Sequence, residues 1–81
     1  MLNKLKDKQR RTVGLKQTMN AINAGKAKVV FLAEDVDEYI KHKVEAQCSE
    51  HGLKINYIGT MQELGQVCDI DVGAATAAII E

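Results

Sequence analysis

The run KVVFLA, residues 28–33, limits most strongly what this chain can fold into. Five of its six residues are apolar, and its two valines and phenylalanine favour a β-strand. A strand without polar alternation must be covered on both faces, as in a sheet that lies between helices. The run therefore predicts an α/β protein with a central sheet and helices on both sides.

Helical and strand patterns alternate along the rest of the chain, with short connections and no proline. In chain order the predicted elements are a short basic helix within residues 1–11, an extended segment at 11–13, a helix at 14–24, a strand at 28–33, a longer helix within 34–52, a strand at 53–59, a short helix from 60, a loop at 66–73 and a last strand at 74–80. The sheet should then have about four strands. Its two strands joined by the longer helix should be parallel, while the order and direction of the terminal strands stay open.

Length and composition predict one folded domain, residues 1–81. The hydrophobic fraction of 46% is typical of a globular chain. No run approaches the roughly 20 apolar residues that span a bilayer, and the N-terminus lacks the apolar core of a signal peptide, so we expect a cytoplasmic protein that does not contact the membrane. Cys48 and Cys68 have neither CxxC nor metal-site spacing, which predicts reduced and buried thiols.

The net charge of zero conceals an uneven distribution of charge. Residues 1–28 contain eight basic residues and one acid, a balance of +7, whereas residues 29–81 contain three lysines and ten acids, a balance of −7. Such asymmetry indicates an anionic partner for the basic part, most often a nucleic acid. The alternative is a solvated charged surface without a partner. Under the first interpretation, the basic segment 1–11 adds salt-dependent contacts to phosphates.

Catalysis and metal binding find little support in the sequence. The acids of residues 34–38 could hold Mg²⁺, but they lie at a predicted helix start, where carboxylates are stabilised as caps. His42 and His51 lie nine residues apart, which does not suit a shared metal. A phosphate-accepting role for Asp35 or Asp37 would require a lysine and a hydroxyl that the sequence does not identify. No nucleotide-binding or nucleophile motif is present, so we expect neither an enzyme nor a cofactor.

The predicted helix in TVGLKQTMNAINAG, residues 12–25, begins in an unusual way. The free N–H groups at a helix start favour a side-chain cap and an acidic first turn. Here Gly14 offers no side chain, and Lys16 places a cation at the positive end of the helix dipole. This start is unfavourable for the isolated helix, but it suits a bound anion such as a phosphate.

Three segments carry a resemblance to a known family. VGLKQTMNAINAG, VVFLAEDVD and MQELGQVCDIDVGAA resemble, in this order between about residues 12 and 80, the signature segments of the kink-turn RNA-binding ribosomal proteins of the L7Ae and L30e type, specifically their small bacterial members. The resemblance implies a three-layer α/β/α sandwich with a mixed central sheet. It also implies a non-catalytic, monomeric protein, associated with the ribosome or another structured RNA. The RNA would be a kink-turn, a sharply bent duplex in which a bulge is followed by tandem sheared G·A pairs.

The resemblance also implies where RNA would bind. The residues that correspond to the RNA-contacting positions of the family are Gly14, Leu15, Lys16, Gln17, Asn20, Asp37, Ile70, Asp71, Val72 and Gly73. Lys16 and Gln17 match the positions that reach the edges of the G·A pairs. In relatives, the loop equivalent to 69–73 presents apolar side chains and backbone to bases flipped out of the bulge. Ile70 and Val72 of this loop could instead cover the edge of the sheet. Asp37 could instead cap a helix.

Two residues depart from the family pattern. Many relatives carry a second lysine where this chain has Asn20, and a glycine where it has Asp69. Each change lowers the positive potential near the expected RNA. The competing hypothesis is therefore a protein-protein adaptor on the same fold, with the acidic half as its docking face and little specific RNA binding, because a fold alone does not determine function.

Overall fold

A computed structural model describes residues 2–80 of the chain and the side chains of residues 4–80. The strands are β1 (Arg11–Val13), β2 (Ala27–Ala33), β3 (Ile55–Ile58) and β4 (Thr76–Ile80). The helices are α1 (Leu15–Asn23), α2 (Glu38–Glu50) and α3 (Met61–Val67), preceded by a 3₁₀ helix at Leu2–Lys6. None of the helices in this described part is long and apolar enough to cross a membrane.

The four strands form one mixed sheet in the order β1-β4-β2-β3. Strands β2 and β3 are parallel, as the sequence predicts, and β4 is antiparallel to both β1 and β2. Strand β4 thus lies inside the sheet, and its Ala77 and Ala78 are fully buried. The apolar run of β4 shows that it is covered, but it does not reveal its neighbours. This is why the strand order could not be read from the sequence.

Helices cover the sheet in two layers. Helix α1 packs against α2 and the sheet, while α3 packs against the 3₁₀ helix and the sheet. The core between them holds Phe31 and Leu32 of the central strand β2, both fully buried. This architecture confirms the predicted three-layer α/β/α sandwich with a four-stranded mixed sheet.

The two cysteines are free and buried, as predicted. Burial raises the pKa of both the Cys48 and the Cys68 thiol, and the nearby Arg11 guanidinium partly opposes the rise at Cys68. Both thiols therefore pack as small apolar groups.

Local hydrogen bonds determine where the helices begin. The Asp37 carboxylate accepts from the Ile40 backbone N–H at 3.0 Å and caps α2. The Thr60 hydroxyl accepts from the Glu63 N–H at 3.0 Å and caps α3. The longer helix therefore begins at residue 38 rather than within 34–37.

Two predicted boundaries were wrong. The N-terminal helix, expected over LNKLKDKQ (residues 2–9), is a 3₁₀ helix that ends at Lys6, because the Asp7 side chain accepts from the Gln9 N–H at 3.0 Å and starts a turn. Helix α3 continues to Val67, where the sequence predicted a loop from residue 66. Its last turn is stabilised by the Leu64 carbonyl, which accepts from the Cys68 N–H at 3.0 Å.

Candidate nucleic-acid interface

The residues implied by the resemblance come together at one end of the sheet. The Gly14 N–H donates to the Thr76 carbonyl at 2.8 Å, which joins the start of α1 to the start of β4. The Ala33 N–H donates to the Ala75 carbonyl at 2.9 Å, which brings the end of β2 to the same place. The α1 start, the segment 34–37 after β2 and the loop 69–73 before β4 therefore lie at a common end.

Gly14 has a backbone conformation that only glycine adopts readily. Its φ of 95° and ψ of 163° fall in a region that a Cβ atom makes costly. A Cβ built on Gly14 would meet nothing within 4 Å, so the protein itself does not crowd the site. The family resemblance places Gly14 among the RNA-contacting positions. The structure adds that the turn from β1 into α1 requires glycine in any case.

The start of α1 is open. No side chain caps it, and its first turn contains no acidic residue. The Gly14 carbonyl accepts the first helical bond from the Thr18 N–H at 3.1 Å, so the N–H groups of residues 15–17 point out of the helix end. Lys16 is exposed beside them. Free N–H groups and an ammonium at one place attract negative charge.

The Gln17 side chain folds back over this helix end. Its Oε1 atom accepts from the Val13 N–H at 3.4 Å, which is a long and weak hydrogen bond. The hydroxyls of Thr12 and Thr18 are 2.8 Å apart and buried, and their hydrogen bond ties β1 to the first turn of α1. The exposed Gln17 amide is thus held only by a weak bond, whereas the first turn of α1 is firmly attached to β1.

Leu15 and Asn20 lie beside the helix start in different surroundings. Leu15 is half-buried and packs on the core, so it contributes support as well as surface. Asn20 is exposed about one turn after Lys16. Both line a groove of 480 Å³ between α1 and α2, to which α2 contributes Lys43 and Gln47. Lys43 and Gln47 were missed in the sequence analysis. Their spacing of four residues shows that they are neighbours on one helix, but it does not show that this helix packs beside α1.

Backbone hydrogen bonds attach the loop 69–73 to α3. The Ile70 N–H donates to the Gly65 carbonyl and the Ala74 N–H donates to the Met61 carbonyl, each at 3.0 Å. Gly73 lies against Met61, whose Cβ would be 3.2 Å from an added Cβ. The loop thus has a fixed shape, on which Asp71 and Gly73 are exposed.

The two apolar residues of this loop have different environments. Ile70 is half-buried and packs on the core, so only part of its side chain is available to a partner. Val72 is 70% exposed and is the one left for contact with a partner.

Gly65 allows this loop to lie close over α3. A Cβ on Gly65 would be 2.1 Å from the Val72 carbonyl oxygen, far inside van der Waals contact. Sequence reasoning did not single out Gly65, because the contact joins residues that are neighbours only in the folded chain.

Two of the four acids of residues 34–38 accept hydrogen bonds from the first turns of helices. Asp37 caps α2, and the Asp35 carboxylate accepts from the Met61 N–H of α3 at 2.8 Å. No three His, Cys, Asp or Glu side chains come together as a metal site within the part of the chain that the structure describes.

The basic half of the chain is only partly available to a partner. The Arg11 guanidinium donates to the Leu5 carbonyl at 2.7 Å and to the Cys68 carbonyl, so it ties the N-terminal segment to the end of α3. Arg10 pairs with Asp7 at 3.7 Å on the surface. Arg11 is thus a structural cation, and Lys16 is the exposed cation at the start of α1.

Together these features define a small α/β/α protein with an uncapped, positively charged helix start beside a rigid loop. The family model described as "Ribosomal protein L7Ae/L30e/S12e/Gadd45 family" matches residues 1–81, and the chain belongs to this family. The family named from the three sequence segments is thereby confirmed.

Several relatives are similar over most of this chain. It is 51% identical over 69 residues to the RNA-binding protein TTE2299 of Caldanaerobacter subterraneus subsp. tengcongensis, covering 85% of this chain and 84% of the relative. It is 41% identical over 68 residues to the RNA-binding protein YbxF of Geobacillus stearothermophilus, covering 84% and 83%. The large ribosomal subunit protein eL8 of Halobacterium salinarum is 38% identical over 69 residues, which cover 83% of this chain and 57% of eL8.

Solved structures share the fold. The 15.5kD RNA binding protein of Giardia lamblia superposes with a TM-score of 0.87 at 28% identity, covering 99% of this chain and 70% of that one. A Bacillus halodurans protein described as having unknown function superposes with a TM-score of 0.86 at 19% identity, which shows the fold alone.

Asp69, the first residue of the loop 69–73, gives a test of backbone strain. It has a φ of 62°, a left-handed conformation that costs an L-residue energy and that glycine adopts freely. We expect Asp69→Gly to raise the free energy of unfolding by about 0.5–1 kcal/mol and Asp69→Ala to lower it by a similar amount. Chemical denaturation would measure both changes. Asp69→Asn is the control for the loss of charge. This substitution removes the carboxylate charge, and asparagine tolerates the left-handed conformation. An Ala variant as stable as the Gly variant would contradict the assignment of strain.

Proposed function

We propose that this chain binds RNA and stabilises a kink-turn, using the start of α1 and the loop 69–73 as its two contacts. The observation that carries the proposal is the open helix start with Lys16, joined by the Gly14–Thr76 hydrogen bond to the strand that follows a rigid loop. Relatives that are named RNA-binding proteins, and match this chain over more than four fifths of its length, support it.

The start of α1 would bind the RNA backbone and read the G·A pairs. Its free N–H groups and the Lys16 ammonium attract a phosphate, which positions the RNA without reading its sequence. Gln17 then reads base edges, because an amide both donates and accepts hydrogen bonds. Its weak 3.4 Å bond to Val13 costs little to exchange. Regular A-form RNA hides its major groove, so such access requires the bend.

The loop 69–73 would hold the bases that the bulge extrudes. Val72 offers an exposed apolar surface for contact with a base, and Asp71 and Gly73 present backbone groups next to it. The hydrogen bonds to α3 fix the loop before RNA arrives, so little ordering entropy is lost on binding. Asp37 uses one carboxylate oxygen as a cap, and its other oxygen can accept from an extruded base.

In this proposal the protein acts by binding alone. It takes no catalytic part and needs neither a metal nor a cofactor, since stabilising the bent RNA requires only the contacts described. The protein would act as a monomer in the cytoplasm, on ribosomal RNA or another structured RNA that contains a kink-turn.

A titration with two matched RNAs tests the proposal. One is a short duplex with a kink-turn, and the other has its G·A pairs replaced by Watson–Crick pairs, each at two salt concentrations. Tight binding to the first RNA only, weakening steeply with salt, supports kink-turn recognition. Equal and weak binding to both would reject it and favour the protein-protein adaptor.

Gln17→Ala separates base reading from general attraction. We expect this variant to lose about tenfold in its preference for the kink-turn over the Watson–Crick duplex, because one base-edge contact contributes about 1–3 kcal/mol of discrimination. The salt dependence should stay unchanged, since glutamine carries no charge. Gln9→Ala, at an exposed residue in the turn before β1, is the matched control. An equal loss of affinity for both RNAs would exclude Gln17 from base reading.

A further inference from the structure

We propose that the groove between α1 and α2 holds the RNA strand beyond the bend, with Tyr39 and Lys43 of α2 as its second wall. This inference rests on the proposed function, because the groove begins at Lys16 of the α1 start. It adds a contact on helix α2. The three segments that resemble the family do not include α2, because the second of them ends at Asp37, just before this helix begins.

The groove has the chemistry of a nucleotide site. Lys16 on α1 and Lys43 on α2 supply ammonium groups for phosphates. Asn20, Asn23 and Gln47 supply amides that can hydrogen-bond to base or sugar edges. None of the residues that line it, all within the described part of the chain, is acidic.

One groove amide lacks a hydrogen-bond partner. The Oε1 atom of Gln47 is buried and accepts no hydrogen bond in the described part of the protein. A buried acceptor left unpaired carries a desolvation cost. If the Gln47 side chain turns this oxygen toward the groove, an amino group of a base or a ribose hydroxyl would donate to it and remove that cost.

Tyr39 lies one helical turn before the groove residue Lys43, toward the start of α2. Tyr39, Lys43 and Gln47 follow one another at intervals of four, so they share one stripe of the helix. The Tyr39 ring is 71% exposed, and the Lys43 ammonium lies 5.7 Å from its centroid. An exposed ring beside a cation is the combination that stacks bases and holds the neighbouring phosphate in single-stranded RNA sites.

The charge of the groove favours RNA over a peptide. Its two ammonium groups, without an acid to neutralise them, suit a polyanion, and its amides suit base edges. A neutral or basic peptide would leave both lysines without partners. An RNA strand that leaves the α1 start reaches this groove directly, because Lys16 belongs to both.

Two RNAs of different length test this inference. Both contain the same bulge and G·A pairs, but one is trimmed just beyond these pairs and the other continues by several nucleotides. For wild type, we expect the longer RNA to bind more tightly. Lys43→Gln should lower affinity for the longer RNA about threefold and Tyr39→Ala about fivefold or more, with little effect on the trimmed RNA.

Matched variants control for charge and for the ring. Lys54→Gln removes an equal charge at an exposed residue that does not line the groove and should leave the difference between the RNAs intact. Tyr39→Phe keeps the stacking surface and should behave as wild type. All four substitutions lie on the surface or the groove edge, and thermal unfolding checks that each variant is folded.

The possible outcomes separate the two proposals. Equal losses on both RNAs, or a Lys43→Gln effect no larger than that of Lys54→Gln, would overturn the groove while leaving kink-turn recognition standing. A wild type that does not distinguish the kink-turn from its Watson–Crick counterpart would overturn kink-turn recognition itself. If an acidic peptide displaced the longer RNA from wild type but not from Lys43→Gln, the groove would instead be a peptide site.

Discussion

Gly65→Ala should lower the free energy of unfolding by about 1–3 kcal/mol, the usual cost of forcing an extra group into a packed site. The added Cβ would lie 2.1 Å from the Val72 carbonyl oxygen, so the loop 69–73 must move away from α3. The sign of this change in the free energy of unfolding shows whether Gly65 is crowded by the loop. At an unhindered helical position, alanine in place of glycine stabilises a protein by up to about 1 kcal/mol. Urea denaturation measures the change directly.

The same substitution should weaken RNA binding, because it displaces the loop that carries Val72. Gly59→Ala is the matched control. A Cβ at Gly59 would lie nearest to the Glu63 carboxylate, 3.3 Å from its Oε1 atom, and this flexible side chain can move aside. We expect Gly59→Ala to change neither stability nor binding by more than a small amount. Equal behaviour of the two alanine variants would show that the loop does not depend on close contact with Gly65.

Lys16→Glu should change stability and RNA binding in opposite directions. A carboxylate near the free N–H groups of α1 interacts favourably with the helix dipole, whereas the lysine interacts unfavourably. We therefore expect the free energy of unfolding to rise by about 0.5–1 kcal/mol at low salt. RNA affinity should fall at least tenfold, since a phosphate contact is replaced by repulsion. Lys16→Ala should reduce the slope of log affinity against log salt by slightly less than one.

Lys26→Glu is the control for this pair of effects. It makes the same change in net charge, but Lys26 follows the C-terminal end of α1, where the dipole favours a cation. The free energy of unfolding of Lys26→Glu should therefore fall, while its RNA affinity should change less than that of Lys16→Glu. A Lys16→Glu variant that is less stable than wild type would contradict the uncapped helix start. One that binds RNA normally would remove Lys16 from the interface.

The features that sequence alone could predict depend on neighbouring residues along the chain. The caps Asp37 and Thr60 have a local cause, because each side chain bonds a backbone N–H only three residues away. The run 28–33 predicted a covered strand because every apolar residue in it must be buried somewhere. The family was recognisable because its three segments keep their order and spacing, which the match over residues 1–81 confirms.

The helix boundaries that were wrong had local causes that are hard to weigh in advance. The Asp7 side chain ended the first helix early, and α3 continued through Val67 before a left-handed residue stopped it. In both places helical and turn hydrogen bonds compete within a few residues. The difference between them is a fraction of a kcal/mol to about 1 kcal/mol, which tertiary packing readily outweighs.

The candidate interface was named residue by residue from the family resemblance, and its RNA contacts remain predictions. Its assembly at one end of the sheet was not deducible, because it depends on β4 entering between β1 and β2. The hydrogen bonds of the loop 69–73 to α3 hold Ile70 against the core while Val72 stays exposed, and no local pattern distinguishes these two residues.

The sequence by itself determined the α/β class, the helix caps, the uneven charge and the family of this protein, because each follows from hydrogen bonds, periodicity or motifs within short segments. Only the tertiary structure decided the strand order, the contact between Gly65 and Val72, and the groove that joins α1 to α2. These features arise between residues far apart in the chain. They are set by the packing of the whole core, which no single segment encodes.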